Sequence, residues 1–287
     1  GDIPIYVAMD SADTWANPWL FKLDEKNCPT QVAGCPPDGF SATGQLWGNP
    51  LYNWEVHRNS GYEWWIKRIS NCFRLYDVVR IDHFRGFDEY YAIPYGDKTA
   101  ENGWWKKGPG IDLFRAISAR LGDREIIAED LGYMTDSVKQ LVEESGYPNM
   151  KVIEFAFDER DTGNASDYLP HNYPRNCVVY TGTHDNETLV SWLEDITPAE
   201  RRQVREYLNN FRDSGKELCQ DLICLVMRSV ANLCIIPMQD YLGLDNSARM
   251  NQPSTLGNNW KWRLKEGQFT KELQKEMKTL AVRYGRQ

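Results

Sequence analysis

The sequence predicts an α/β fold of parallel βα units, and three observations carry that prediction. Short apolar runs of β type recur along the chain. They are nearly continuous rather than alternating, as expected of strands buried on both faces. Amphipathic helical patterns separate most of them, and strand–helix alternation of this kind is a βα architecture.

Taken in order, the strands are expected at 3–7, 78–81, 126–128, 152–155, 178–180 and 233–236. Apolar residues at helical spacing place helices at 63–75 and 113–121. A third helix, 137–144, follows the turn at Thr135-Asp136. Thr197-Pro198-Ala199-Glu200 reads as a capping box with proline in the first helical position, opening a helix that runs towards Phe211. Residues 216–230 and 272–283 complete the set. No internal repeat, low-complexity tract or linker interrupts the pattern, so a single domain over 1–287 is expected. The Gly/Pro-rich stretch 29–53 reads as a long functional loop.

Composition narrows the function. With 41% hydrophobic and 26% charged residues, the 287-residue chain has the make-up of a globular protein with a sizeable core. A net charge of −8 argues against a nucleic-acid partner, since phosphate binding needs a basic surface. No apolar run reaches the length of a membrane span, and Gly1 opens directly into a strand-like segment without a signal peptide. Seven cysteines, odd in number and never spaced CxxC, read as reduced thiols of a cytoplasmic protein. The glycosylation triplets at Asn164 and Asn186 are short and common, and carry little weight. Eleven tryptophans and fifteen tyrosines are more than core packing alone asks for. Trp15, Trp19, Trp47, Trp54 and Trp104-Trp105 fall in Gly/Pro/Asn-rich stretches, where an indole is placed to stack on the apolar face of a pyranose.

The acids point the same way. Asp82 ends one predicted strand in "RIDHF", Glu129 ends another in "AEDLG", and Asp185 follows a third in "YTGTHDNET". In a parallel βα barrel, all strand C-termini open on one face, where active sites are built. A single acid after a strand is usually an N-cap. Three of them, two beside His83 and His184 and one beside Arg80, are hard to explain as caps alone. A metal site is disfavoured because adjacent His–Asp side chains diverge on an extended backbone. There is no GxGxxG, P-loop or HExxH, and "GFSATG" is one residue too long for a nucleophile elbow. Paired carboxylates with aromatic loops point to glycosyl transfer, without metal or cofactor.

Nine ordered strings carry a family resemblance: "GDIPIYVAMDSADTWANP", "GFSATGQLWGNPLYNW", "VVRIDHFRGF", "IIAEDLG", "MKVIEFAFD", "LPHNY", "VVYTGTHDNET", "PMQDYLGL" and "ARMNQP…GNNWKWR". Over essentially the whole chain the sequence resembles the 4-α-glucanotransferases (amylomaltases, or disproportionating enzymes) of glycoside hydrolase family 77. The resemblance implies a (β/α)8 TIM-type barrel, present here in part as six of eight βα strands starting at the third. The chain then corresponds to the C-terminal portion of the catalytic barrel. It also implies retaining transfer of α-1,4-glucan segments between maltodextrins, starch or glycogen fragments.

Carried over by position, Asp82 is the nucleophile, Glu129 the general acid/base and Asp185 the acid that stabilises the transition state. Arg80 orients Asp82, His83 and His184 bind donor-side hydroxyls, and Asp2 ties the network together. Trp47 is an acceptor-side platform, and loop 36–44 matches a mobile active-site loop. A retaining amylase-type hydrolase and a silent glucan-binding fragment are the competing readings. A barrel lacking two strands leaves unpaired edges at 3–7 and near Cys234–Met238, so self-association is expected.

Overall fold

The computed structural model describes all residues except 39–40, 133, 159–164, 212–214, 254 and 287. The chain divides into two compact units, Gly1–Asn149 and Met150–Gln287.

The first unit opens with β1 (Asp2–Ile3), followed by α1 (Ala12–Ala16), β2 (Gln31–Cys35), β3 (Gln45–Pro50), α2 (Trp54–Asn59) and α3 (Glu63–Cys72). Then come β4 (Val79–Ile81), β5 (Glu89–Pro94), β6 (Trp104–Lys107), α4 (Ile111–Leu121), β7 (Ile126–Ala128) and α5 (Asp136–Ser145). Strands β1, β4 and β7 run parallel, with Ile3 opposite Ile81 and Ile81 opposite Ala128. Their apolar side chains, Ile3, Val79, Ile81, Ile126 and Ala128, are buried with Trp65, Ile69, Phe84, Phe87, Leu113 and Ile117, which are fully shielded from solvent. Helices α3 and α4 supply four of these, which is why their apolar residues recur at helical spacing. Thr135 caps α5, its hydroxyl accepting from the Val138 amide as the preceding turn implies.

Three expectations need correction here. The first strand is not 3–7: β1 pairs with β4 only through Asp2 and Ile3 and ends there. The stretch 29–53 is not an open loop. It contains β2 and β3, which join β5 and β6 in a four-stranded antiparallel sheet of order β3-β2-β5-β6. Gly34 concealed this. Its backbone packs so closely that a Cβ there would lie 2.1 Å from the Gln45 carbonyl oxygen and 2.4 Å from Ile93 Cδ1. A β-bulge between Val32 and Gly34 further breaks the alternation by which strands are read. Finally, Trp54 is a core residue rather than a loop aromatic.

Strand β8 (Asn149–Val152) starts on the last residue of the first unit, where Asn149 faces Ala128 of β7, and the second unit continues with β9 (Cys177–Tyr180), α6 (Leu189–Asp195), α7 (Pro198–Leu208) and α8 (Gly215–Met227). It ends with β10 (Leu233–Ile235), α9 (Met238–Leu242) and α10 (Lys271–Arg283). Strands β9 and β10 are parallel, Val179 facing Cys234. The capping box is present as read: Glu200 N–H donates to Thr197 Oγ1 and Thr197 N–H to Glu200 Oε2. The apolar run 152–155 is a strand only at its first residue, and Ile153–Phe157 is a 3₁₀ turn. Periodicity alone does not separate the two in so short a run. On β10, Leu233 and Ile235 are exposed, whereas Ile3 on β1 and the following Ile5 are buried, against the expectation of exposed apolar side chains at 3–7. All seven cysteines are free, and among the described residues no helix is long and apolar enough to cross a membrane.

Gly34→Ala is expected to destabilise the first unit by about 1–3 kcal/mol, the usual range for overpacking, because the new methyl collides with backbone. Denaturant unfolding checks this; an unchanged midpoint would show that β2 and β3 separate at no cost.

Candidate active site

Parallel pairing positions the first cluster. Asp82 and Glu129 each follow the last residue of neighbouring strands, β4 and β7, so both stand at the same end of the sheet. The ladder continues into them: Asp82 N–H donates to Ile3 O at 2.9 Å and Glu129 N–H to Ile81 O at 3.0 Å. Arg80, two residues before Asp82, places its guanidinium 3.1 Å from Asp82 Oδ1 and 2.7 Å from Asp2 Oδ1. The structure therefore brings together Asp82 and Glu129, at strand ends, with Asp2 and Arg80 of β1 and β4.

Their environment sets their chemistry. Burial drives the Glu129 carboxyl upward, the negative charge of Asp82 adds to this, and its pKa reaches about 7. Arg80 and two backbone donors, Leu131 N–H at 2.8 Å and His83 N–H at 2.6 Å, pull it down but do not prevail. Burial alone would lower Arg80. The carboxylates of Glu129, Asp2 and Asp82 outweigh it and hold the guanidinium charged above its ordinary range. A carboxyl poised near neutrality beside a second carboxyl and a fixed cation has the make-up of a proton-transferring site.

His83 departs from the extended backbone expected of it. Its φ is +52°, a left-handed conformation uncommon outside glycine, and the chain then enters a buried 3₁₀ turn at Phe84–Phe87. Gly86 permits the turn, since a Cβ there would lie 2.7 Å from Ile5 Cδ1 and 3.1 Å from His83 Cδ2. Burial and the nearby Arg85 charge lower the His83 pKa to about 3, so the ring is neutral. Its Nε2 is buried and has no hydrogen-bond partner among the described residues. Trp47, half-buried on β3, meets the His83 ring edge-on at 4.7 Å and donates its indole N–H to Gln45 Oε1. Trp47 thus belongs beside the cluster. Of loop 36–44, residues 39–40 lie outside the described residues. Asp38, Ser41 and Gly44 close a turn through Ser41 N–H to Asp38 Oδ1 and Ser41 Oγ to Gly44 O.

A second cluster forms within the second unit, after β9. His184 Nε2 stands 3.4 Å from Asp185 Oδ2, so these adjacent side chains converge rather than diverge. Asn251 Nδ2 donates to Asp185 Oδ1 at 2.6 Å, and Arg249 holds the Asp185 carbonyl oxygen, also at 2.6 Å. Beneath them Asn186 Oδ1 accepts from Thr183 N–H and Oγ1, while its amide nitrogen donates to the buried Glu154 at 3.0 Å. Asn186 is committed to this network and does not stand free for glycosylation; Asn164 lies outside the described residues. Burial, then the charge of Asp240, pushes Glu154 well above the usual carboxylate range.

Residue-level reasoning missed Glu154, Arg249 and Asn251. Their only signal was the strings "VIEF" and "ARMNQP", which carried no assigned roles. Among the described residues, no group of three or more His, Cys, Asp or Glu is placed to hold a metal.

Comparison with known proteins agrees on one family. The glycoside hydrolase 77 model, described as 4-alpha-glucanotransferase, matches residues 1–270. The 4-alpha-glucanotransferase of Clostridium butyricum is 50% identical over 288 residues, covering 100% of this chain and 58% of its own length. That of Thermus thermophilus is 46% identical, covering 98% and 57%. The amylomaltase of Streptococcus agalactiae, solved in complex with acarbose, superposes with a TM-score of 0.93 at 41% identity, over 100% of this chain and 57% of its own. The fold is therefore α/β, with six parallel strands of a partial TIM-type barrel, and the chain spans less than three fifths of the length of these relatives. The chain belongs to the 4-alpha-glucanotransferase family, glycoside hydrolase 77.

Proposed function

We propose that the protein carrying this chain transfers α-1,4-glucan segments between maltodextrins by a retaining mechanism. One observation supports it above the others: Glu129, raised to about 7, at the same strand ends as Asp82 and Arg80. Arg80 orients the Asp82 carboxylate, with Asp2 fixing the guanidinium from the other side. An Asp82 oxygen attacks the anomeric carbon, the bond to the departing glucan oxygen breaks, and that oxygen takes the proton of Glu129. The product is a glucosyl ester on Asp82. Glu129, now ionised, removes the proton of an incoming sugar hydroxyl. That oxygen displaces Asp82, so two inversions give net retention.

Asp185 is assigned the third acid by its place in "THDN", and His184 a hydroxyl contact beside it. His83, as a neutral imidazole with an unpartnered Nε2, is assigned a donor-side sugar hydroxyl. Trp47 is the acceptor-side platform and loop 36–44 the segment that excludes water. A cytoplasmic setting fits seven free thiols. Acarbose, bound by the Streptococcus agalactiae relative, fits the same substrate class.

Incubation of the intact protein with maltotriose tests the reading. Glucose with a ladder of longer maltodextrins is expected. Glucose and maltose alone would indicate a hydrolase, and unchanged substrate a silent glucan-binding protein. Asp82→Asn should reduce transfer to background with the fold intact, because an amide keeps the shape but is not a nucleophile. Trp47→Ala should raise hydrolysis relative to transfer; an unaltered ladder would remove it from the acceptor site.

The pH dependence follows from Glu129. Its folded pKa lies above the ordinary value, so the acid form is present at low pH and is lost as pH rises through about 7. kcat/KM should fall along an alkaline limb near pH 7. The same shift favours the folded state below about pH 4.5, and that contribution fades between there and pH 7. A flat rate from pH 6 to 8 would contradict the assignment.

Self-association through the exposed β10 edge, at Leu233 and Ile235, is proposed on the same footing. Sedimentation of the chain should show a species larger than one copy, and a strictly monomeric profile would count against it.

A further inference from the structure

The string "GNNWKWR" has no part in the chemistry above, yet it produces the most unusual aromatic in the second unit. Trp260 has a left-handed backbone, φ +64°, which a bulky residue rarely adopts. Its side chain is 51% exposed. A large ring held in a strained conformation and half open to solvent contributes little to a core. Such outliers persist where the surroundings enforce them, and they cluster at ligand sites.

The surroundings do enforce it. Trp260 N–H donates to the Met250 carbonyl oxygen at 2.6 Å. Asn259 closes the loop by accepting from Gln252 N–H and donating to Thr255 O and Oγ1. The base of that loop is tied to the second cluster: Asn251 N–H donates to His184 O, Asn251 Nδ2 to Asp185 Oδ1, and Arg249 to Asp185 O. The result is a Trp260 ring 5.0 Å from the His184 ring and tilted 40° to it. The loop is built to hold an indole beside His184 and Asp185 while leaving half of it uncovered.

We infer that Trp260 is the aromatic floor of a glucosyl subsite beside His184 and Asp185. This rests on the proposed function, since it presumes a glucan substrate. The ligand chemistry is a pyranose, whose apolar C–H face stacks on the exposed indole. The Asp185 carboxylate and His184 imidazole supply polar partners at the ring's edge. The left-handed backbone makes the ring removable without loss of fold, because glycine adopts this φ more readily than tryptophan.

The test compares wild type, Trp260→Gly and Trp260→Phe of the intact protein in maltotriose disproportionation, with thermal melting alongside. Trp260→Gly should melt no lower than wild type while KM for maltotriose rises roughly 3–10-fold, the worth of one aromatic stack. Trp260→Phe should recover part of that loss. An unchanged KM in Trp260→Gly, beside an active wild type, overturns the subsite and leaves the transferase reading standing. A Trp260→Gly protein that melts well below wild type also overturns it, since the ring is then structural. So does a Trp260→Phe variant no better than glycine. A wild type that leaves maltotriose untouched instead defeats the underlying function.

Discussion

The proposed chemistry depends on one buried electrostatic balance: the Glu129 carboxyl, shielded from water, beside the charges of Asp82 and Arg80. Desolvation disfavours the ionised form, Asp82 disfavours it further, and Arg80 with two backbone donors opposes both. None of these groups is placed by a flexible loop. Each sits on, or one residue beyond, a short parallel strand whose register is fixed by buried apolar side chains. The apolar core and the acid pair are therefore one construction. A slip of one residue in β4 would turn Asp82 to the other face of the sheet and dissolve the balance.

The second cluster is organised on a different plan. Asp185 and His184 lie in the loop after β9, which provides no ladder to fix them. Their order comes from a chain of side-chain bonds that begins at the buried Glu154 and passes through Asn186 and Thr183. Arg249 and Asn251 complete it from the far side. Hydrogen bonds of this kind hold the groups they join in place, although Glu154 Oε1 at the root of the network has no partner among the described residues. Here the network converts a strand-end loop into a platform that presents a carboxylate, an imidazole and, through the 250–260 loop, an indole.

Much of this was legible in the sequence, for identifiable reasons. β4, β7 and β9 were readable because each is buried on both faces and nearly all apolar. Asp82 and Glu129 stood out because they end such runs. The capping box at Thr197 was readable because capping is local chemistry. What escaped notice was non-local. The antiparallel sheet of β2, β3, β5 and β6 was hidden by Gly34 and a bulge, which serve close packing but look like loop residues. Trp260 escaped because its meaning lies in a backbone angle and a neighbour 76 positions away. His83 and Asp82 were read on an extended backbone, whereas a left-handed turn at His83 redirects the chain. The resemblance supplied roles for eight residues, and the geometry brings Asp2, Arg80, Asp82, Glu129, His83 and Trp47 into one cluster of the first unit. His184 and Asp185 form their own.

The most direct measurement of the central balance is a titration of the Glu129 carboxyl itself, by carbon-13 NMR of glutamate-labelled protein with Glu129→Gln for assignment. An apparent pKa near 7 is predicted, falling when Asp82→Asn removes the neighbouring charge. A value near 4.5, unmoved by that substitution, would contradict the account.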